Sequence, residues 1–489
     1  MRICVLNTGG TIACTGSPLA PMPSNRFAGA LHDLLGSSLA ASLPATDLHF
    51  DTGLRFSDTG PGTLDSTDLR PLDWCKMAGR VLELYDRFDG FVILHGTDTM
   101  DYTGAALSFL LNVTDARGHA RATLSKPVIL TGSQLPLLTE TPDGLVLNAA
   151  SDGLLNLTGA LAMTRLRLPE VAVFFGGQLL RGNRGLKSST TGFAAFDSPH
   201  LPALAHAGIG IRHGAAQPLT GPASPQLALD HPDAMAAARA QLDAVAQVID
   251  AQSVAQIPAV PAAGPLMAHL IDAALASGAA GLVVQGFGEG NIPAASGTKA
   301  ALQRAQDHGV ITVIASRVTD GQVGAFHYAA GAWVADTGAI GCGDITPVAA
   351  LAKLTVLRAA ADHHGWDNAT VQALMQRSLA GECAATDHST GPLLAGQSLS
   401  VADVTLLNDT DDGPVLRHGD NILWRAGGAG RLQMRGDRLV LVAPDGGTTW
   451  SSPPASPQSV LTIAALPPRL MLVDPADPAA DITVFCHQG

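Results

Sequence analysis

Met1-Arg2-Ile3-Cys4-Val5-Leu6-Asn7-Thr8-Gly9-Gly10-Thr11-Ile12-Ala13 opens the sequence, and its reading decides the fold. Ile3–Leu6 is an apolar run short enough for a buried strand and too short for a helix. Two glycines follow closely, and they let the backbone turn sharply and approach a ligand. The threonines at 8 and 11 place hydroxyls at the carboxyl end of that strand. Such a turn can also cradle phosphate, but neither a GxGxxG nor a Walker A pattern is present. Gly185-Leu186-Lys187-Ser188-Ser189 fails as a second Walker loop, because Leu186 stands where glycine must precede the lysine.

Outward from this turn, Phe91–Leu94, Pro127–Leu130 and Val171–Phe175 read as further buried strands, with helical stretches such as Thr103–Leu111 between them. This alternation predicts an α/β domain with a mainly parallel sheet. Ligands of such sheets sit outside the carboxyl ends of the strands. Composition shifts after about position 215, where Pro218–Pro225 reads as a linker and Pro232–Val248 as an Ala-rich helix. A second α/β pattern follows: helix Leu266–Ala276, strand Gly281–Gln285, helix Lys299–Gln306, strand Val310–Ala315, then helices Pro347–Ala361 and Thr370–Leu379. From Gly391 short apolar strands alternate with Gly, Asp and Pro turns, which predicts a small all-β domain. The expected partition is 1–215, a linker with a helical insertion at 216–249, 250–385, and 390–489.

Apolar residues make up 46% of the 489 and charged residues 15%, a balance that buries large cores. A net charge of −13 with no dense Lys/Arg run argues against a nucleic-acid partner. The six cysteines form no CxxC pair, and His363-His364 and His388 lack a ligand pattern, so no metal site is expected. No apolar stretch is long enough to span a bilayer and no signal peptide is legible, so a cytoplasmic protein is expected.

Two further segments carry chemistry. His95-Gly96-Thr97-Asp98-Thr99-Met100 lies at another strand-to-helix turn. A threonine hydroxyl needs a base or a charge network to act as a nucleophile. Asp98 can orient or accept protons, and the helix N-terminus offers N–H groups to an oxyanion. Helix capping by Thr97, Asp98 or Thr99 is the plainer reading of that turn. In Arg181-Gly182-Asn183-Arg184-Gly185-Leu186-Lys187, a lysine in a partly dry site can hold an aspartate ionised and relay protons, although a solvated surface lysine is the default.

Together these segments resemble the asparaginase family, in its cytoplasmic bacterial type I branch. The matching text is TGGTIA at 8–13, LDSTD at 64–68, DGFVILHGTDTMDYT at 89–103, KPVILTGSQLP at 126–136, RGNRGLKSSTTGFAAFDSPHLPAL at 181–204, GFGEGN at 286–291 and GAIGCGDITPVAALAKL at 338–354. The resemblance covers about residues 1–380. It implies two α/β domains of the asparaginase type and cofactor-free hydrolysis of L-asparagine. Thr11 takes the family's nucleophile position, and Thr97, Asp98 and Lys187 its second triad. Ser66 and Asp98 match residues that hold the substrate's α-carboxylate and α-amino group, with Gly10 lining the site. Glu289 matches a position that one subunit supplies to its neighbour, which implies a homodimer or homotetramer. One departure is plain. The family places a tyrosine on the lid after the first threonine, and here Pro21 falls there; the three tyrosines are Tyr85, Tyr102 and Tyr328. A glutaminase-asparaginase, a peptide-amide amidase, and a degenerate enzyme serving as scaffold for a binding module stand as alternatives.

In the last hundred residues, Leu394–Ser400, Asn421–Trp424 and Arg438–Ser452 resemble bulb-type mannose-binding lectin repeats, which implies a β-prism with Trp424 and Trp450 in its core. That family reads mannose through a Gln-x-Asp-x-Asn-x-Val-x-Tyr strand. This chain has Met434, Gly436, Arg438, Val440 and Val442 there, and keeps at most Asp412 in an earlier repeat. Carbohydrate binding is therefore not expected of the module, and a structural or protein-contact role is.

Overall fold

The computed structural model describes the chain apart from residues 263, 295–296, 320, 324–328, 385, 390, 402–403, 419–420, 466–467, 475–479 and 487–489. It divides into two units. The first comprises Met1–Ala116, Ala120–Gln376 and Ala380–Cys383, and the second Arg117–His119, Arg377–Leu379 and Ala384–Gly489.

The first unit is built on an eight-stranded sheet. Strand Arg2–Asn7 pairs in parallel with Asp47–Asp51 on one side and Gly90–Leu94 on the other. Val128–Thr131 and Val171–Phe175 continue the parallel order. Every residue of Gly90–Leu94, Val128–Thr131 and Val171–Phe175 is buried. Continuous apolar runs of this kind suit a parallel sheet covered on both faces. Gln178–Arg181, Ala205–Ala207 and Ile211–His213 then extend the sheet antiparallel. The last two of these, and the edge strand Asp47–Asp51 with its alternating exposure, carry too little apolar sequence to be read as strands beforehand.

Helix Ser24–Ser42 supplies Phe27, Leu31, Leu35 and Leu39, four residues apart, to the core that also holds Ile3, Val5, Val92 and Ile129. A second, four-stranded parallel sheet orders Val254–Pro258, Gly281–Gly286, Ile311–Ser316 and Ile340–Gly341. Its core includes Ile271, Leu282, Val284, Leu302 and Ile314. Helix Pro347–His364 starts where the Thr346 side chain accepts from the Ala349 amide and Pro347 occupies the first turn. It ends at Gly365, which takes φ 67°.

Buried charge locks the two sheets' connections together. Lys353 and Glu382 are fully buried and 2.6 Å apart. Lys353 also donates to the Met375 carbonyl at 3.2 Å, and Glu382 accepts from the Ala380 amide at 2.7 Å. Arg184, 2% exposed, donates to the Gly381 carbonyl and to Asp344 Oδ2, both at 2.9 Å. Asn183 Nδ2 donates to the Ala380 carbonyl at 2.8 Å. Charges this deep persist only when each is paired and hydrogen-bonded.

The second unit contains three antiparallel sheets. One orders Ser398–Val401, Val404–Asp409, Gly413–His418 and Asn421–Arg425. Another orders Arg431–Arg435, Arg438–Val442 and Thr448–Ser451. The third orders Thr386–Ser389, Val460–Ala465, Pro468–Val473 and Ile482–Cys486. Val404–Asp409 and Pro468–Val473 bury every second residue, the pattern of sheets with one covered face. One core joins all three sheets through residues such as Leu406, Leu416, Leu441, Ile463 and Leu470. Trp424 and Trp450 pack against it, edge to face with ring centroids 5.3 Å apart. The five positions aligned with a sugar-reading strand do not share one strand. Met434 lies near the end of Arg431–Arg435, Gly436 sits in the turn with φ 63°, and Arg438, Val440 and Val442 lie on the next strand.

Candidate active site

The first turn is shaped by backbone contact. Gly9 and Gly10 take φ 107° and 70°, which favour glycine. A Cβ on Gly10 would lie 2.2 Å from the backbone of Gly96, so the two turns touch through their missing side chains. The Asn7 side chain accepts from the Gly9 amide at 3.0 Å and pins the turn's entry. Gly10 N donates to Leu64 O at 3.0 Å, which docks the 64–68 segment alongside. Ser66, 2% exposed, lies against Gly96, where an added Cβ would meet its Oγ at 2.5 Å.

Thr11 and Thr97 therefore follow two glycines in van der Waals contact, at the carboxyl ends of the adjacent strands Arg2–Asn7 and Gly90–Leu94. Thr11 is half-buried, and no hydrogen bond engages its hydroxyl among the described residues. Thr97 is 6% exposed. Lys187 Nζ donates to Thr97 Oγ1 at 2.8 Å and to Asp98 Oδ1 at 2.5 Å. Lys187 has left the default place of a lysine: its side chain is 16% exposed, against 56% for Asp98. Capping does not account for the 97–99 turn. Thr99 is the N-cap residue of helix Met100–Leu110 but caps nothing, and its hydroxyl donates to the Ser66 carbonyl at 2.7 Å.

Three groups escaped the sequence reading. The buried Asp101 carboxylate accepts from the Lys187 amide at 3.1 Å and so fixes the lysine's backbone. Burial raises its pKa above the usual carboxylate range, against the amides of Lys187 and Tyr102 that lower it. His95 is fully buried, and desolvation lowers its pKa to about 4. Asn7 carried a signal, a short polar residue two before a glycine, whereas Asp101 carried none beyond its place in a helix's first turn. Cys14, beside the turn, donates to the Gly10 carbonyl at 3.2 Å, and burial raises its pKa to about 11, so it stays a thiol at neutral pH.

The hairpin after Thr11 pairs Cys14 with Pro21 and Thr15 with Ala20. Pro21 thus sits in the short ladder where the resemblance leads one to expect tyrosine. Tyr85 bonds Ser125 and Tyr102 bonds Gln256, away from this hairpin, and Tyr328 lies outside the described residues. Glu289 is not brought to the group: it is exposed on the turn after Gly281–Gly286, and no hydrogen bond or ion pair joins it to Thr11, Thr97, Asp98 or Lys187 among the described residues. Among the described residues no three His, Cys, Asp or Glu side chains are grouped to hold a metal ion, and no helix is long and apolar enough to cross a membrane.

A strand-end threonine pair with a lysine–aspartate couple is the equipment of acyl transfer. Residues 2–217 match the family model described as asparaginase, N-terminal, and residues 254–375 match the glutaminase/asparaginase C-terminal domain. L-asparaginase 1 of Escherichia coli strain K12 is 33% identical over 386 residues, covering 79% of this chain and 98% of that protein. A glutamyl-tRNA(Gln) amidotransferase component of Aeropyrum pernix is 30% identical over 397 residues, covering 78% and 79%. The crystal structure of L-asparaginase I from Vibrio cholerae superposes with a TM-score of 0.60 at 31% identity, covering 78% of this chain and 98% of that one. With both α/β domains matched, and with two L-asparaginases aligned over 98% of their length, the chain belongs to the asparaginase family of amidohydrolases.

Proposed function

We propose that this chain hydrolyses L-asparagine to L-aspartate and ammonia, with Thr11 as the nucleophile. The observation that carries the reading is the Lys187 ammonium, 2.8 Å from Thr97 Oγ1 and 2.5 Å from Asp98 Oδ1, where Gly10 and Gly96, the residues just before Thr11 and Thr97, meet backbone to backbone. Thr11 Oγ attacks the side-chain amide carbon and loses its proton to the site. The tetrahedral oxyanion rests on backbone N–H groups near Gly10 and Thr97. Collapse expels ammonia, which takes up that proton, and leaves an aspartyl ester on Thr11. Water, deprotonated through the Thr97–Lys187–Asp98 set, then cleaves the ester and restores the hydroxyl.

Ser66 and Asp98 hold the α-carboxylate and α-amino group of the substrate, and Glu289 arrives from a second copy of the chain. The exposure of Glu289, and the lack among the described residues of any hydrogen bond or ion pair from it to the rest of the set, support that arrangement. The second unit is a lectin-like β-prism without a sugar site, serving as a docking module.

Ammonia release from L-Asn, D-Asn and L-Gln tests the substrate. Rates on L-Gln equal to those on L-Asn would replace the reading with a glutaminase-asparaginase. T11A should remain folded and lose nearly all turnover, and an active T11A would remove the nucleophile assignment.

A further inference from the structure

His95 stands at the end of strand Gly90–Leu94 with both ring nitrogens engaged. Nδ1 lies 2.6 Å from the Gly96 carbonyl oxygen, and Nε2 lies 2.9 Å from Thr103 Oγ1. A carbonyl only accepts, so Nδ1 carries the proton, and Nε2 must accept from the Thr103 hydroxyl. The imidazole is fully buried. Its own amide donates to Thr131 O at 2.8 Å, which fixes the ring's base.

The carbonyl it holds belongs to the peptide joining Gly96 to Thr97. That bond is trans, and in a trans peptide the C=O and the N–H point in opposite directions. Holding the Gly96 oxygen toward the buried ring therefore turns the Thr97 N–H away from it. No hydrogen bond engages that N–H among the described residues. The Gly96 backbone cannot be steadied by a side chain of its own, because Gly10 and Ser66 occupy the space a Cβ would need. We infer that His95 is a positioning residue: its Nδ1–H clamps the Gly96 carbonyl so that the Thr97 N–H is fixed toward Thr11 as an oxyanion donor. Thr103 sets the tautomer that makes the clamp possible. The inference rests on the amidohydrolase reading above and assigns one of its backbone donors. Desolvation, which holds the ring neutral down to about pH 4, keeps the clamp in one protonation state across the working range.

The test compares H95N, whose amide nitrogen stands where Nδ1 stood, with H95Q, whose amide reaches toward the Nε2 position. Loss of one oxyanion donor costs about 10²–10³ in kcat. H95Q should lose kcat on this scale with KM little changed, and H95N should recover most of it. Equal losses in both variants, or a raised KM at unchanged kcat, would overturn the clamp. Two readouts need no turnover. The ¹⁵N spectrum of the wild-type ring should show the neutral Nδ1–H tautomer, and an Nε2–H tautomer would overturn the assignment. The Thr97 amide resonance should shift in H95Q and hold in H95N; no difference between the two variants would count equally against the clamp. A wild type that releases no ammonia from any amide would remove the asparaginase reading, while the two spectra would still decide what His95 does.

Discussion

Lys187 shows what a single side chain does here. Its ammonium bridges Thr97 and Asp98, so removing either acidic or basic partner dismantles the same unit. Residues that act as a unit give strongly non-additive kinetics. D98N and K187M should each cost most of kcat/KM, and the double variant should cost little more than the worse single; additive losses in a double-mutant cycle would argue for independent roles. His95 makes a separate prediction about stability. Its folded pKa lies near 4 against 6.5 for the free ring, so the folded state binds fewer protons than the unfolded state between those values. The stability it contributes is complete above pH 6.5 and is lost as pH falls through that window. Urea unfolding at pH 7 and 4.5 should show the wild type losing about 2 kcal/mol more than H95N between the two conditions. Legibility at this scale followed the type of signal. Thr97, Asp98 and Lys187 were readable because they stand in dense motifs, and the structure brings them within hydrogen-bond reach. Asp101 was not, because an acidic residue in a helix's first turn is commonplace. His95 lay in full view in the same motif, but its work depends on a carbonyl one residue away, which sequence does not display.

At the scale of the element, the turn Asn7–Thr11 is defined by what it lacks. Gly10 touches Gly96 backbone to backbone, and its φ of 70° with ψ −179° is a combination only glycine adopts readily. G10A should lower unfolding free energy by roughly 3 kcal/mol or more, from strain and overlap combined. Gly29 offers the contrast: it lies inside helix Ser24–Ser42 with nothing within 4 Å of an added Cβ, so G29A should raise stability by about 0.5–1 kcal/mol. Equal effects of the two in denaturant melts would contradict the contact. The buried parallel strands were legible because each is a continuous apolar run. The antiparallel extension Ala205–His213 and the edge strand Asp47–Asp51 were not, since half their residues face solvent and register alone makes them strands. In the second unit the short strands were legible from their turns, but not that Met434 and Arg438 fall on different strands, because Gly436 reads equally as a strand residue or a turn.

At the scale of the whole molecule, the second unit has its own three-sheet core and the family matches end at residue 375. A chain truncated after Cys383 keeps Lys353–Glu382 and every residue of the proposed site. It should retain turnover per site while its melting temperature or its assembly in light scattering changes. Unchanged melting and unchanged assembly would remove the docking role proposed for the module, and specific mannose binding by the full chain in calorimetry would restore a sugar site. Light scattering also bears on Glu289, since a fully active monomer is incompatible with its supply from a second copy.

The bracing of residues 181–184 has a bearing on biosynthesis. Lys187 hangs from a segment whose Asn183 and Arg184 are held by the carbonyls of Ala380 and Gly381, next to the Lys353–Glu382 pair. All the proposed catalytic side chains emerge from the ribosome well before those carbonyls exist. A nascent chain halted at residue 217 thus carries Thr11, Thr97, Asp98 and Lys187 but leaves Arg184 without its partners, a charged side chain that has no place yet to be buried. The proposed catalytic side chains are thus encoded before residue 217, and the groups that hold Arg184 are encoded only from residue 344 onward.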